Sequence, residues 1–188
     1  MISAILLAAG QSKRMNGENK LKKKINNQPL IKHSINNILE SDIDELIVVV
    51  GYQEEIIKKL ISKNEKVKII SNKNFKNGIA SSIKEGLKHL SKKTEYFFIC
   101  LGDMPNVNKQ IYNSLIKFRN NYEIIIPTYK GQRGNPVLFE KSMKEIIINI
   151  EGDSGAKKII NMYEKKIFNF ETNDQSIVQD FNTQESFS

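Results

Sequence analysis

The sequence predicts an α/β fold built on a mostly parallel sheet with helices on both faces, and three observations carry that expectation. Short apolar runs bounded by Gly, Pro or polar residues recur along the chain. Between them, apolar residues recur at helical spacing. Within the runs, apolar side chains follow one another without alternation, the pattern of strands buried on both faces.

Taken in order, Ile2–Leu7 is the first strand, and Pro29 then sets the first turn of a helix striped by Ile31, Ile35, Ile38 and Leu39. Leu46–Val50 is the second strand, followed by a helix carrying Ile56, Ile57, Leu60 and Ile61. Val67–Ile70 precedes a helix with Ile83, Leu87 and Leu90, and Tyr96–Leu101 precedes one with Ile111, Leu115 and Ile116. Glu123–Ile126 closes this βαβαβαβαβ alternation. The remainder is less regular: a strand at Pro136–Phe139, helical stretches around Ile146–Ile150 and Ala156–Tyr163, and a last strand near Ile167–Phe170. The polar tail from Gln175 to Ser188 is expected to fray unless Ile177, Val178 and Phe181 pin it to the sheet.

At 188 residues the expectation is one domain spanning 1–188, since domains run to roughly 100–200 residues. The net charge of +8 calls for an anionic partner without choosing among phosphate, nucleic acid and membrane. The opening apolar stretch, Ile2–Ala9, is too short to span a bilayer, and no export signal precedes it, so a cytoplasmic location is expected. The single cysteine, Cys100, lies inside an apolar run and reads as a buried strand thiol. His33 and His89 stand far apart without Cys or His at ligand spacing, which argues against a zinc cluster and for two solvated helix residues.

In a parallel sheet of this kind, ligands bind beyond the carboxyl ends of the strands. After the first strand comes Leu7-Ala-Ala-Gly-Gln-Ser-Lys-Arg-Met15, where small residues free backbone amides to face an anion and basic residues follow. It is neither a Walker loop nor a dinucleotide fingerprint, and its plainer reading is an exposed loop with solvated cations. The fourth strand ends in Gly102-Asp-Met-Pro105, which places the Asp103 carboxylate on the same edge. Such a carboxylate can hold Mg²⁺, which takes one or two carboxylates plus substrate phosphates, or it can form an Asx turn or cap the next helix. Ser81 and Ser82, in Asn77-Gly-Ile-Ala-Ser-Ser82, either cap a helix or bond a ribose. Arg133, in Gly131-Gln-Arg-Gly-Asn-Pro-Val137, can approach a second anion, and Asp153 before Gly155 is a helix cap or a contact to a polar ligand. Asp42-Ile-Asp44 precedes its strand, at the opposite edge, and reads as a turn. Ser81 with His89 lacks an orienting third group, which disfavours serine catalysis. Few aromatics interleave with the basic residues, so a nucleic-acid groove has little support.

These segments together resemble the MobA-like nucleotidyltransferases, most closely the molybdenum cofactor cytidylyltransferase branch. The resemblance is carried by Leu7-Ala-Ala-Gly-x-Ser-x-Arg-Met15, Lys20-Leu21, Gly102-Asp-Met-Pro105, Arg133-Gly-Asn-Pro-Val137 and Gly152-Asp-x-Gly-Ala156, in order over nearly the whole chain. It implies a three-layer α/β/α sandwich of the nucleotide-diphospho-sugar transferase type, Rossmann-like. It also implies a reaction in which the terminal phosphate of molybdopterin attacks the α-phosphate of CTP and releases pyrophosphate, with Mg²⁺ as cofactor. On that resemblance Leu7, Ala8, Ala9, Gly10, Ser12, Gly78 and Ser82 line the nucleotide, Arg14 and Lys20 neutralise the leaving triphosphate, and Asp103 binds the metal. Arg133, Gly134, Asn135 and Pro136, with Asp153 and Gly155, face the pterin acceptor. Ala9 accompanies cytidine use, and a molybdoenzyme or its chaperone is the implied recipient.

The chain departs from the family pattern in two places. Lys157 replaces an Arg, losing a bidentate fork. The late Asp-x-Asp-Thr-Pro becomes Asp180-Phe-Asn-Thr-Gln184, so Asp180 remains as second metal ligand while Asn182 is a poorer one. Rival expectations are transfer from GTP or another NTP to molybdopterin or a sugar phosphate, and a non-catalytic accessory protein that only binds nucleotide or cofactor.

Overall fold

The computed structural model describes residues 1–12, 17–149, 160 and 162–181. The strands are β1 (Ile2–Ala8), β2 (Lys24–Ile25), β3 (Gln28–Pro29), β4 (Glu45–Val50), β5 (Val67–Ser71), β6 (Tyr96–Leu101), β7 (Ile124–Tyr129), β8 (Gln132–Arg133), β9 (Val137–Glu140) and β10 (Ile167–Glu171). The helices are α1 (Leu30–Leu39), α2 (Glu54–Leu60), α3 (Ile79–Lys88), α4 (Lys109–Ile116) and α5 (Lys144–Ile147). The main sheet runs β10-β7-β9-β6-β1-β4-β5, with β8 paired to β7.

The parallel core is as the alternation predicts, with β1 paired parallel to β4 and β6, and β4 parallel to β5. One strand runs the other way, because β9 lies antiparallel between β6 and β7. The cause is a tight turn at Lys130 and Gly131, both at positive φ, which folds Tyr129 back onto Gln132 and returns the chain. A similar turn at Asn26 and Asn27 makes the small β2–β3 hairpin, which the apolar pattern does not announce because its strands are two residues long. The fifth strand extends past the expected Ile126 to Tyr129, and the sixth begins at Val137 rather than Pro136. The stretch expected around Ile146–Ile150 begins earlier, as α5, and Ile150 lies outside the described residues, as does most of Ala156–Tyr163.

Side chains alternate between two buried layers. In β1, Ala4, Leu6 and Ala8 face α1, α2 and α4, while Ile5 faces α3 and α5. In β6, Phe98 and Cys100 share the first layer and Phe97 and Ile99 the second. The three layers are thus α/β/α. Phe97 stacks on Phe139 across the β6–β9 pair at 5.6 Å, and burying each such ring contributes about 1.5–3 kcal/mol. At the amino ends of the strands, the buried Glu45 carboxylate is satisfied by Ser3 Oγ, Lys68 Nζ and the Ser91 N–H. Asp44 accepts the Ile2 N–H at 2.7 Å, so the Asp42–Asp44 segment is a turn fixing the edge away from the strand tips.

Candidate active site

The tips of β1 and β6 are neighbours in register, Leu7 beside Leu101, so the two motif turns leave the sheet side by side. Gly102 N–H donates to Leu7 O at 3.0 Å, and a Cβ at 102 would lie 2.9 Å from that oxygen, so only glycine fits. Ala8 and Ala9 are buried, whereas Gly10 is exposed with open space where a Cβ would stand. Ala9 O accepts the Tyr52 N–H, and its methyl abuts Gly51 at the end of β4.

The basic loop is tied down from several sides. Ser12 Oγ accepts the Lys20 N–H at 3.1 Å, Asn19 accepts the Leu21 N–H and donates to Tyr52 O, and Tyr52 OH donates to Gly17 O. These bonds aim Lys20 across the β1 tip, where its ammonium pairs with the Asp103 carboxylate, each side chain only about one-sixth exposed. Asp103 caps no helix: α4 starts at Lys109 and is capped by Asn108, whose side chain accepts the Gln110 and Ile111 N–H groups. Its carboxylate is bonded to the Lys20 ammonium rather than committed to a helix end.

The backbone around Asp103 is fixed as well. Ser34 Oγ–H donates to Gly102 O, Asn37 donates to Pro105 O, and Phe181 N–H donates to Asp103 O at 2.9 Å. The last bond brings Asp180, the residue before Phe181, to the Asp103 turn. The Asp103 carboxylate, a hard oxygen donor, fits a Mg²⁺-type ion, which takes one or two carboxylates and fills its remaining positions with phosphate and water. No group of three or more His, Cys, Asp or Glu that could hold a metal ion gathers among the described residues. Ser34, Asn37, Asn19 and Tyr52 escape a reading of the sequence because their bonds are set by tertiary register.

On the flank, Gly78 holds φ 90° at the start of α3, a conformation open to glycine alone. It is the N-cap residue, and neither Ser81 nor Ser82 caps the helix. Ser81 Oγ lies 2.8 Å from Gly78 O, and the buried Ser82 hydroxyl accepts from Asn72 Nδ2. Asn72, Gly51, Gln53 and Phe75 line a cavity of about 490 Å³ at the tips of β4 and β5, next to Ala9. The signal for it in the sequence is Gly51 and Asn72 at the ends of apolar runs.

The turn after β8 lies farther along the same edge. Arg133 forks onto the Glu164 carboxylate and donates through Nε to Asn169, and the guanidinium holds the Glu164 carboxyl below its usual range. Gly134 N–H donates to Pro127 O and Asn135 N–H to Ile177 O, and a Cβ at 134 would lie 2.3 Å from Ile177 O. The Asn135–Pro136 peptide is cis. Ile177 is fully buried, and Val178 and Phe181 pack on the core, so this part of the tail is pinned. Arg14, Gly152 to Ala156 with Asp153 and Gly155, Lys157, Asn182 and Gln184 lie outside the described residues.

Neither histidine enters the site. His89 is exposed at the end of α3, as expected, but His33 is half-buried and its Nε2 lies 2.9 Å from Ile25 O, steadying the β2–β3 hairpin rather than meeting solvent. Among the described residues no helix is long and apolar enough to cross a membrane.

A model of the MobA-like NTP transferase domain matches residues 4–167, nearly the whole fold and every motif turn up to the β10 edge. The chain belongs to that family. Among relatives of this MobA-like chain, the molybdenum cofactor cytidylyltransferase of Escherichia coli is 26% identical over 99% of this chain and 93% of its own. A probable molybdenum cofactor guanylyltransferase of Clostridium perfringens is 30% identical over 88% and 75%. The bifunctional protein GlmU of Staphylococcus epidermidis is 23% identical over 89% of this chain, which spans only 38% of that relative. Rv0371c from Mycobacterium tuberculosis, solved also in complex with manganese, superposes with a TM-score of 0.88 at 18% identity, covering 99% of this chain and 95% of that one. That likeness shows the fold, a mixed, mostly parallel sheet between helical layers.

Proposed function

We propose that this protein transfers CMP from CTP to the terminal phosphate of molybdopterin, with Mg²⁺ as cofactor and pyrophosphate as leaving group. The observation that carries the reading is the pairing of Lys20 with Asp103 where β6 leaves the sheet beside the tip of β1, the strand that leads into the open Gly10 turn. Family membership supports nucleotidyl transfer, and the Escherichia coli relative supports the cytidine and molybdenum cofactor assignments.

In this reading Leu7, Ala8, Ala9, Gly10 and Ser12 form the turn along which the triphosphate lies, and the cavity beside Ala9, walled by Asn72 with Ser82 behind it and Gly78 near, receives the nucleoside. Lys20, joined by Arg14, neutralises charge growing on the leaving pyrophosphate. Asp103 and Asp180 would hold Mg²⁺, which supplies charge neutralisation at the phosphates. The acceptor phosphate, oriented by the Arg133–Pro136 turn with Asp153 and Gly155, is already an anion near neutral pH, so the protein need not deprotonate it. An acceptor oxygen bonds to the α-phosphorus as the bond to the β,γ-diphosphate breaks. The reading also takes the chain as one domain working in the cytoplasm, delivering its product to a molybdoenzyme or chaperone.

The test is pyrophosphate release from each NTP in the presence of Mg²⁺ and molybdopterin. The reading expects CTP to be turned over at least about tenfold faster than GTP, a discrimination of about 1.4 kcal/mol. Preference for GTP, which the Clostridium perfringens relative favours, overturns the cytidine assignment. CTP binding without pyrophosphate release under any acceptor overturns catalysis and leaves a nucleotide-binding accessory protein.

A further inference from the structure

Two side chains on α1 carry no part in the reaction proposed above, yet they grip the turn that bears its acid. β6 ends at Leu101, and the chain must leave the sheet at once through Gly102 and Pro105, both buried. Their carbonyls find donors on α1, Ser34 Oγ at 3.0 Å from Gly102 O and Asn37 Nδ2 at 2.7 Å from Pro105 O. Ser34 and Asn37 are three apart on a helix and so project side by side. Ser34 is 3% exposed and sits in the apolar stripe of Leu30, Ile31, Ile35 and Ile38. A polar residue there gains nothing from packing, and both Ser and Asn are weaker helix formers than Ala. What each gains is a carbonyl on either side of Asp103.

We infer that Ser34 and Asn37 are positioning residues for Asp103, fixing the place of its carboxylate through the backbone that flanks it; this rests on the reading of Asp103 as a metal ligand. The other side of the turn is held by Gly102 N–H on Leu7 O and Phe181 N–H on Asp103 O. These four bonds hold the backbone on both sides of Asp103, while Lys20 holds its carboxylate. Remove the two α1 donors and two buried carbonyls lose their partners, the turn relaxes, and a shift of about 1 Å is enough to spoil coordination.

The test is a Mn²⁺ titration followed by electron paramagnetic resonance with CTP present, paired with CTP affinity measured in EDTA by calorimetry. Variants are Ser34→Ala, Asn37→Ala, the double variant, Asn36→Ala on the exposed face as control, and Asp103→Asn as reference. Asp103→Asn is expected to lose the bound Mn²⁺. Asn37→Ala is expected to bind Mn²⁺ with CTP about tenfold more weakly and the double variant up to about 100-fold, the range in which groups behind metal ligands act. CTP affinity in EDTA stays at the wild-type value throughout, and Asn36→Ala changes neither quantity. Wild-type Mn²⁺ affinity in Asn37→Ala and in the double variant, with Asp103→Asn still defective, overturns the positioning role and leaves the metal reading standing. Equal losses of Mn²⁺ and EDTA-phase CTP affinity also overturn it, since they mark general unfolding of the site. Unchanged Mn²⁺ binding in Asp103→Asn overturns both. If the double variant does not fold, the half-exposed Asn37→Ala decides.

Discussion

Lys20 and Asp103 stand 83 positions apart in sequence and form one ion pair, largely shielded from water on the β1–β6 edge. Replacing Asp103 by Ala is expected to cut pyrophosphate release by at least about 100-fold with the circular dichroism spectrum unchanged, and Lys20→Ala by a similar factor. Activity within a few-fold of wild type in either variant removes that residue from the mechanism. The motif turns were readable because Gly10, Gly102 and Asp103 are adjacent to strand ends that the apolar runs mark out. Ser34 and Asn37 were not, since a Ser in an apolar stripe and an Asn among Asn residues acquire meaning only from the carbonyls opposite them.

Cys100 adds a residue-scale prediction. Burial pushes its thiol up to about 12 from 9.0, Tyr112 partly offsetting the rise. A raised folded pKa means the folded state keeps the proton longer. Its contribution is therefore whole below about pH 9 and is lost as pH climbs through about 12. Thermal melts should fall across that window with a slope that Cys100→Ala reduces, and native protein should resist thiol reagents at pH 8. Rapid labelling of native protein at pH 8 contradicts the burial of this strand.

Elements show where local sequence and tertiary context part company. The four parallel β–α units follow from hydrophobic period alone. The apolar run marks β9 as a strand, but its reversed direction comes from Lys130 and Gly131 at positive φ, a turn too short to outweigh the parallel pattern around it. The Asn26-Asn27 hairpin has no apolar run to announce it, and it is this hairpin that gives His33 a carbonyl partner. Asn108 supplies the cap that could have fallen to Asp103, and Asn108→Ala should cost about 1 kcal/mol, a drop in melting temperature of roughly 2–4 °C. Gly134→Ala tests the pinned tail. The new methyl would meet Ile177 O, so the segment from Gln175 to Phe181 must move, at a cost of about 1–3 kcal/mol. Proteolysis near Gln179 is expected to accelerate in that variant, and an unchanged digest would mean that Ile177 does not hold the tail.

For the molecule as a whole, the decisive property is the shared direction of β1, β4, β5 and β6, which puts four strand tips on one edge. The loops there are small and basic, while the buried Glu45 and the exposed Asp44 secure the other edge. A net charge of +8 predicts an anionic ligand, and the proposed function makes it a nucleoside triphosphate lying along the Gly10 turn. Arg133 shows what remains invisible at this scale in the sequence: its neighbours mark it for an anion, and the fold gives it Glu164 as a resident partner. The most direct measurement is a crystal structure with Mg²⁺ and a non-hydrolysable CTP analogue. The account predicts the triphosphate against the Gly10 backbone, the metal on the Asp103 carboxylate, and Lys20 turned from that carboxylate to a phosphate oxygen. A nucleotide bound elsewhere, with the Lys20–Asp103 pair undisturbed, would contradict it.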